Sequence, residues 1–247
     1  MREPQVIGHL SVDFMTPEIF LDLTRTWLKE NAFHHVVTVN PEMVVQAERD
    51  TDFRRAVAQA EVRVPDGAGL FWAQAYLASA QPLWVSLIRF IGRGVPRVTG
   101  VDAVQTLTRL CADTGQQVLL VGGTDQQREG ARLKLEKDFP GVVATSLRDR
   151  PAVVFVALGA PKQTLWIEAQ RAALTQAGVK IAIGVGGALA MLAGETPRAP
   201  RLFRRLNLEW AWRLLLEPQR GGRMWRATVT FPLLIKRQKH VFAQARH

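Results

Sequence analysis

Asp66 sits in a Pro65-Asp66-Gly67 turn directly after a β-branched run. A carboxylate held at a strand end is suited to taking a proton from an attacking hydroxyl group. An Asp-Gly turn whose side chain bonds only its own backbone has the same sequence, so two readings of Asp66 stand on the residues alone. Thr38 and Asn40 end a neighbouring strand-like run, and Asn40 before Pro41 also suits a helix cap. Three further strand-like runs end in glycine-rich turns: Gly122-Gly123-Thr124, Gly159 to Gln163 and Gly184 to Gly187. Glycine turns end strands in many α/β proteins, with or without a phosphate ligand.

These residues need elements to position them. His35 to Asn40, Glu61 to Val64, Val118 to Gly123, Val153 to Gly159 and Lys180 to Gly187 read as buried strands. Between them lie amphipathic segments: one opened by Pro41 and running through Phe53 and Val57, one from Gly100, and one ending near Phe139. Continuous apolar strands alternating with helices predict an α/β fold, a parallel sheet covered by helices on both faces. In such sheets ligands gather at the carboxyl ends of the strands, where Asp66, Asn40 and the glycine turns all fall.

Charge divides the chain at about residue 196. The twelve basic side chains from Arg198 to Arg246 face only Glu209 and Glu217, which accounts for the whole net charge of +10. Residues 1–196 are predicted to form the α/β core, and residues 197–247 a basic helical appendage rich in Trp and Leu. Such a segment suits an anionic bilayer surface; it equally suits helices packed on their own domain with arginine turned to solvent. Cys111, the only cysteine, falls on an apolar helical stripe with Val104 and Leu107 and reads as a buried thiol. No secretory signal and no membrane-length apolar run is apparent, so residence in the cytoplasm is expected.

Five motifs in order carry a resemblance: Thr38 to Met43 (TVNPEM), Val64 to Gly67 (VPDG), Arg97 to Asp102 (RVTGVD), Leu158 to Gln163 (LGAPKQ) with Trp166, and Arg198 through Trp210 to Arg220. Together they resemble the WecG/TagA/CpsF family of glycosyltransferases from about residue 5 to about residue 232. The resemblance implies a Rossmann-like core and inverting transfer of an N-acetylhexosamine from a UDP-sugar. It implies N-acetylmannosamine or its uronic acid as the sugar, and undecaprenyl-diphosphate-linked N-acetylglucosamine as the acceptor, in teichoic acid or surface polysaccharide synthesis. No metal and no cofactor beyond the donor is implied. Asp66 matches the family's catalytic aspartate, and Thr38 and Asn40 are placed for the sugar. Arg97, Gly122, Gly123 and Gln163 are placed for the UDP leaving group, while Arg213, Arg220 and Arg223 match appendage arginines directed at diphosphate. The implied place of work is the inner face of the cell membrane, with the tail on anionic lipid; a homo-oligomer is left open.

The chain departs from that pattern in several places. Thr164 stands where relatives have glutamate, and Ala190 where they have aspartate. The stretch from Gly141 to Ala152 is short, lacking a Gly-Tyr motif and a helix, which bears on the sheet margin or the donor pocket. Gln81 to Pro96 is long and apolar, with Trp84, Leu87, Ile88 and Ile91 on one helical face; it suits a lid, a second membrane contact or an oligomer surface. Three other functions stay open: an inactive relative that binds a nucleotide sugar, a nicotinamide-dependent oxidoreductase and a nucleic-acid-binding protein. The second lacks G-x-G-x-x-G, and the third lacks a recognisable nucleic-acid motif.

Overall fold

The computed structural model describes residues 3–91, 95, 97–197, 199–200, 202–203, 206–218 and 221–244. Its strands are β1 (Gln5–Ile7), β2 (Leu10–Val12), β3 (His34–Val39), β4 (Val62–Pro65), β5 (Val118–Gly122), β6 (Val153–Ala157) and β7 (Ile181–Gly184). The helices before the tail are α1 (Pro17–Trp27), α2 (Pro41–Ala47), α3 (Thr51–Ala58), α4 (Ala68–Leu77), α5 (Leu83–Phe90), α6 (Gly100–Asp113), α7 (Asp125–Asp138), α8 (Lys162–Ala169), α9 (Arg171–Gln176) and α10 (Ala188–Leu192). In the tail lie α11 (Glu209–Leu216), α12 (Gly221–Trp225) and α13 (Phe231–Gln244).

Five strands form one parallel sheet in the order β4-β3-β7-β6-β5. Alternation along each strand feeds both faces. Val36, Val64, Leu120, Phe155 and Ile183 enter one apolar cluster with α1, α6, α7 and α10. Val37 and Val39 enter a second with α2, α3 and α4, and Val154, Val156 and Ala182 a third with α8 and α9. The expected parallel sheet, covered on both faces, is therefore present.

Two local features differ from the sequence reading. The helix expected from Pro41 through Val57 is two helices, because Asp50 leaves helical geometry and its carboxylate caps α3 by accepting from Phe53 N–H at 2.9 Å. The N-terminal residues, which carry no strand-length run, form an antiparallel β1–β2 hairpin whose Ile7, Leu10 and Val12 are buried in the second cluster.

The shortened stretch lies at the sheet margin. After α7 the chain passes outside β5, where Val143 makes a single parallel bridge to Val118, with hydrogen bonds of 2.8 Å from Val118 N–H to Val142 O and from Ala144 N–H to Val118 O. It returns to β6 through one 3₁₀ turn, Leu147–Asp149, in place of a helix. Ala144 and Leu147 join the third cluster, with Leu119 and Val154. None of residues 139–152 lines the central cavity.

The basic tail joins the core through α13. Phe231 and Ile235 are 1% and 0% exposed and belong to the cluster of Val39, Met43, Leu70 and Trp72. Gln238, one turn further on, clasps the hairpin: its Oε1 accepts from Gly8 N–H at 2.9 Å and its Nε2 donates to Val6 O at 3.0 Å. Between α12 and α13 lies a π-helical turn, Arg226–Thr230, closed by Phe231 N–H donating to Arg226 O five residues back. Pro232 has no N–H to give Thr228 O, so the helical ladder must shift register there.

At the amino end of β3, opposite the strand ends where ligands gather, an ionic network centred on a buried histidine ties the sheet to α8 and α9. His35 is fully buried, and its Nδ1 meets the Glu168 carboxylate. Arg171 bonds Glu168 at 2.9 Å and Glu61 at 3.0 Å, and Glu61 accepts from His35 N–H at 2.6 Å. Burial alone would raise the Glu168 carboxyl, but the bonds from His35 and Arg171 hold it down at about 2. A carboxylate depressed on folding adds stability above its unfolded pKa and loses it as pH falls. We therefore expect the urea midpoint to drop between about pH 4.5 and 2, with Glu168→Gln flattening that part of the pH profile. An unchanged profile in the variant would remove Glu168 from the acid response. Cys111, also buried, has its thiol pushed up to about 12 by burial, in keeping with an inert core position.

Candidate functional site

A cavity of about 650 Å³ opens at the carboxyl ends of β3, β4, β6 and β7. Five helix starts converge on it: Asn40-Pro41 of α2, Gly67-Ala68 of α4, Thr99-Gly100 of α6, Gly159-Ala160 before α8, and Gly187-Ala188 of α10. The aligned peptide dipoles of these helix starts favour an anionic ligand. The tail closes the far wall with Leu206 to Trp210 and with Arg223, Met224, Ala227 and Thr228 of the α12–π segment.

Asp66 lines this cavity, half-buried, in the link between β4 and α4. Its backbone N–H donates to Val39 O at 2.6 Å, which fixes the link to the end of β3. Gly67, at φ +95°, turns the chain out of the strand into α4, a backbone conformation open to glycine at little cost.

Thr38 and Asn40 also line the cavity, and each has a structural task. The buried Thr38 hydroxyl donates to Gly184 O at 2.7 Å, tying β3 to β7. Asn40 Oδ1 accepts from Met43 N–H at 3.0 Å, the expected α2 cap. That bond uses the Asn40 oxygen and not its amide nitrogen. Gln163 is buried, and its Oε1 accepts from Gly186 N–H at 3.0 Å, so it shapes the turn that leads into α10.

Arg97 reaches the cavity from the segment before α6 and is held by the tail. Its guanidinium lies 2.9 Å from Glu209 and 3.5 Å from Asn207 Oδ1. On the other side the charge order is reversed: Glu42 of α2 bonds Arg223 Nε at 2.9 and 3.1 Å and Arg226 at 2.8 Å. The Arg223 contact uses Nε alone. Core and tail are thus joined by ion pairs of both senses, Arg97 of the core with Glu209 of the tail, and Glu42 of the core with Arg223 and Arg226 of the tail.

Gly122 and Gly123 are not brought to the cavity wall. A Cβ on Gly122 would lie 2.8 Å from Ala157 O, and Gly123 N–H already donates to Ala157 O at 3.0 Å. The glycine at 122 follows from this close approach of β5 to β6, and that at 123 from its φ of +69°. Gln127 lines the cavity instead, from the capping box it forms with Thr124 at the start of α7. Arg220 and the side chain of Arg213 lie outside the described residues. Of the two departures, Ala190 lines the cavity and Thr164 is buried in α8 away from it.

Glu42 and Glu209 were assigned no role in the sequence reading. Glu42 lies inside the TVNPEM motif, and Glu209 is one of only two acidic residues in a tail with twelve cations. That scarcity is the signal for a paired carboxylate. Glu42→Gln leaves Arg223 and Arg226 without their carboxylate; we expect KM for a diphosphate-bearing substrate to change severalfold more than kcat. Equal effects on both parameters, or none, would refute a positioning role.

Fold and cavity define a Rossmann-like α/β protein whose cleft is lined by Asp66 and by two carboxylate-paired arginines, Arg97 with Glu209 and Arg223 with Glu42, beside helix starts that suit an anionic group. The chain matches the Glycosyl transferase WecG/TagA/CpsF family over residues 5–149 and 142–245 and belongs to it. The two stretches overlap at residues 142–149, in the shortened segment beside β5. The chain is 31% identical over 205 residues to the N-acetylglucosaminyldiphosphoundecaprenol N-acetyl-beta-D-mannosaminyltransferase of Staphylococcus aureus (strain MRSA252), covering 76% of this chain and 74% of that protein. It is 28% identical over 256 residues to the protein of the same name from Bacillus spizizenii (strain ATCC 23059 / NRRL B-14472 / W23), covering 96% and 89%.

Proposed function

We propose that this chain transfers N-acetylmannosamine from a UDP-sugar to N-acetylglucosaminyl-diphosphoundecaprenol, a step of cell-surface polymer assembly. The observation that carries the reading is that Asp66, Arg97 and Arg223 line one cavity in a member of this family. The acceptor hydroxyl attacks the anomeric carbon in line as the bond from that carbon to the UDP oxygen breaks. Asp66 takes the hydroxyl proton, and the departing UDP keeps the electron pair. The starts of α6 and α8, with Arg97 and Arg223, stabilise the charge that develops on UDP, a task in which Arg213 and Arg220 join. Asn40 and Thr38 contact the sugar, and no metal takes part. The tail's cations hold the enzyme to the anionic inner face of the membrane, where the acceptor resides. Among the described residues, no helix is long and apolar enough to cross a membrane.

The test is UDP release in the presence of EDTA. Release that requires both UDP-N-acetylmannosamine and a lipid-diphosphate-linked N-acetylglucosamine, with anomeric inversion seen by NMR of the product, is the expected result. Loss of activity in EDTA that Mg²⁺ or Mn²⁺ restores would overturn the metal-free mechanism, and retained anomeric configuration would overturn the single displacement.

A further inference from the structure

α5 is a helix with an apolar face that the protein leaves in solvent. Trp84, Ile88 and Ile91 are 67%, 62% and 58% exposed, and with Leu87 they occupy positions i, i+3, i+4 and i+7 of one stripe. The opposite side holds the helix in place. Leu83 and Phe90 pack on the second core cluster, and Ser86 Oγ accepts from Trp72 Nε1 at 3.1 Å. Both ends are tied to the tail: Lys239 Nζ donates to Gln81 O and Asn207 Nδ2 to Phe90 O, each at 3.2 Å. The outward stripe is thus carried on a fixed element and meets the catalytic opening, since Leu87, Phe90 and Ile91 line the cavity.

We propose that the α5 stripe is a bilayer-inserting contact, separate from the electrostatic contact of the tail, that sets the cavity mouth at the headgroup level of an anionic membrane. This rests on the lipid-linked acceptor proposed above. Charge selects the occupant. From Ala80 to Arg97 the chain has no acidic residue and carries Arg89 and Arg93 besides Arg97, which Glu209 neutralises, next to a tail with twelve cations. A second copy docking on the same face would bring like charges together, whereas an anionic bilayer supplies the opposite charge and an apolar phase. A tryptophan beside isoleucines, with an exposed arginine on the same helix, is the composition that settles at the headgroup boundary. The acceptor's sugar hydroxyl then reaches Asp66 while its polyprenyl chain stays in the membrane.

The experiment compares the full chain with its Trp84→Ser/Ile88→Ser variant, neither position lining the cavity. Binding is measured by co-sedimentation with phosphatidylglycerol/phosphatidylcholine vesicles at low salt and at 1 M salt. Turnover is measured on acceptor embedded in those vesicles and on a short-chain, water-soluble acceptor. At unchanged melting temperature, the variant should bind vesicles about tenfold or more weaker. That difference should persist at 1 M salt, where attraction by the tail is screened. Its turnover should fall on the embedded acceptor and hold on the soluble one. Equal vesicle binding by both proteins would overturn the proposal. So would a lipid-free oligomer of the parent chain that the variant loses. Absence of turnover by the parent on either acceptor would instead count against the proposed reaction, because the binding comparison stands without it.

Discussion

Asp66→Asn is expected to lower kcat by about 10²- to 10⁴-fold while leaving UDP affinity within a few-fold of the parent. The amide fits the same space at the β4–α4 link and cannot take the acceptor's proton. The backbone bond from residue 66 to Val39 O does not involve the side chain, so the link should hold in the variant. Single-turnover kinetics with calorimetric titration of UDP separates the two effects. Near-parental turnover would remove Asp66 from the chemistry and leave it as a turn residue. Lost UDP binding together with lost turnover would mean that the carboxylate organises the cavity.

Phe231→Ala should destabilise the whole chain by about 3–5 kcal/mol, a fall in Tm on the order of 10 °C. Phe231 packs edge-on against Trp72, which in turn stacks on Tyr76, so its loss opens a hole beneath the cavity wall. Leu233, two residues away and exposed, provides the control: Leu233→Ala should change stability by less than about 0.5 kcal/mol. Thermal unfolding by circular dichroism decides the matter. If both variants melt with the parent, α13 is not part of the core. The same packing bears on truncation, because removing residues 197–247 would uncover the faces of α2, α4 and the β1–β2 hairpin. Loss of activity in such a truncation therefore cannot be assigned to the membrane contact, and point changes on the surface of the tail are the cleaner probe.

Charge and packing explain what the sequence did and did not disclose. The parallel strands were legible because each is a β-branched run buried on both faces, and their carboxyl ends located Asp66, Thr38, Asn40 and Gln163 on the cavity. The β1–β2 hairpin was not, since strands of three residues carry almost no period. The charge step at residue 197 is a property of the surface. The apolar stripe of Phe231, Leu234 and Ile235 was visible as an amphipathic piece, but its partners lie far earlier in the chain, at Trp72 and around Val39 and Gly8. Gly122 and Gly123 fitted a phosphate turn by type, whereas the structure places Gly122 against the carbonyl of Ala157 and Gly123 at positive φ. Arginine positions could be read from the tail, but their carboxylate partners could not. Pairing of Arg223 with Glu42 and of Arg97 with Glu209 depends on how the tail crosses the cavity.

The proposed reaction moves N-acetylmannosamine onto a lipid-diphosphate-linked N-acetylglucosamine in this cavity. The direct measurement is mass spectrometry of that acceptor after incubation with the full chain and a panel of single UDP-sugars. The expected result is a gain of one N-acetylhexosamine with UDP-N-acetylmannosamine, absent in Asp66→Asn. An unmodified acceptor with every donor, or modification by a different sugar alone, would contradict it.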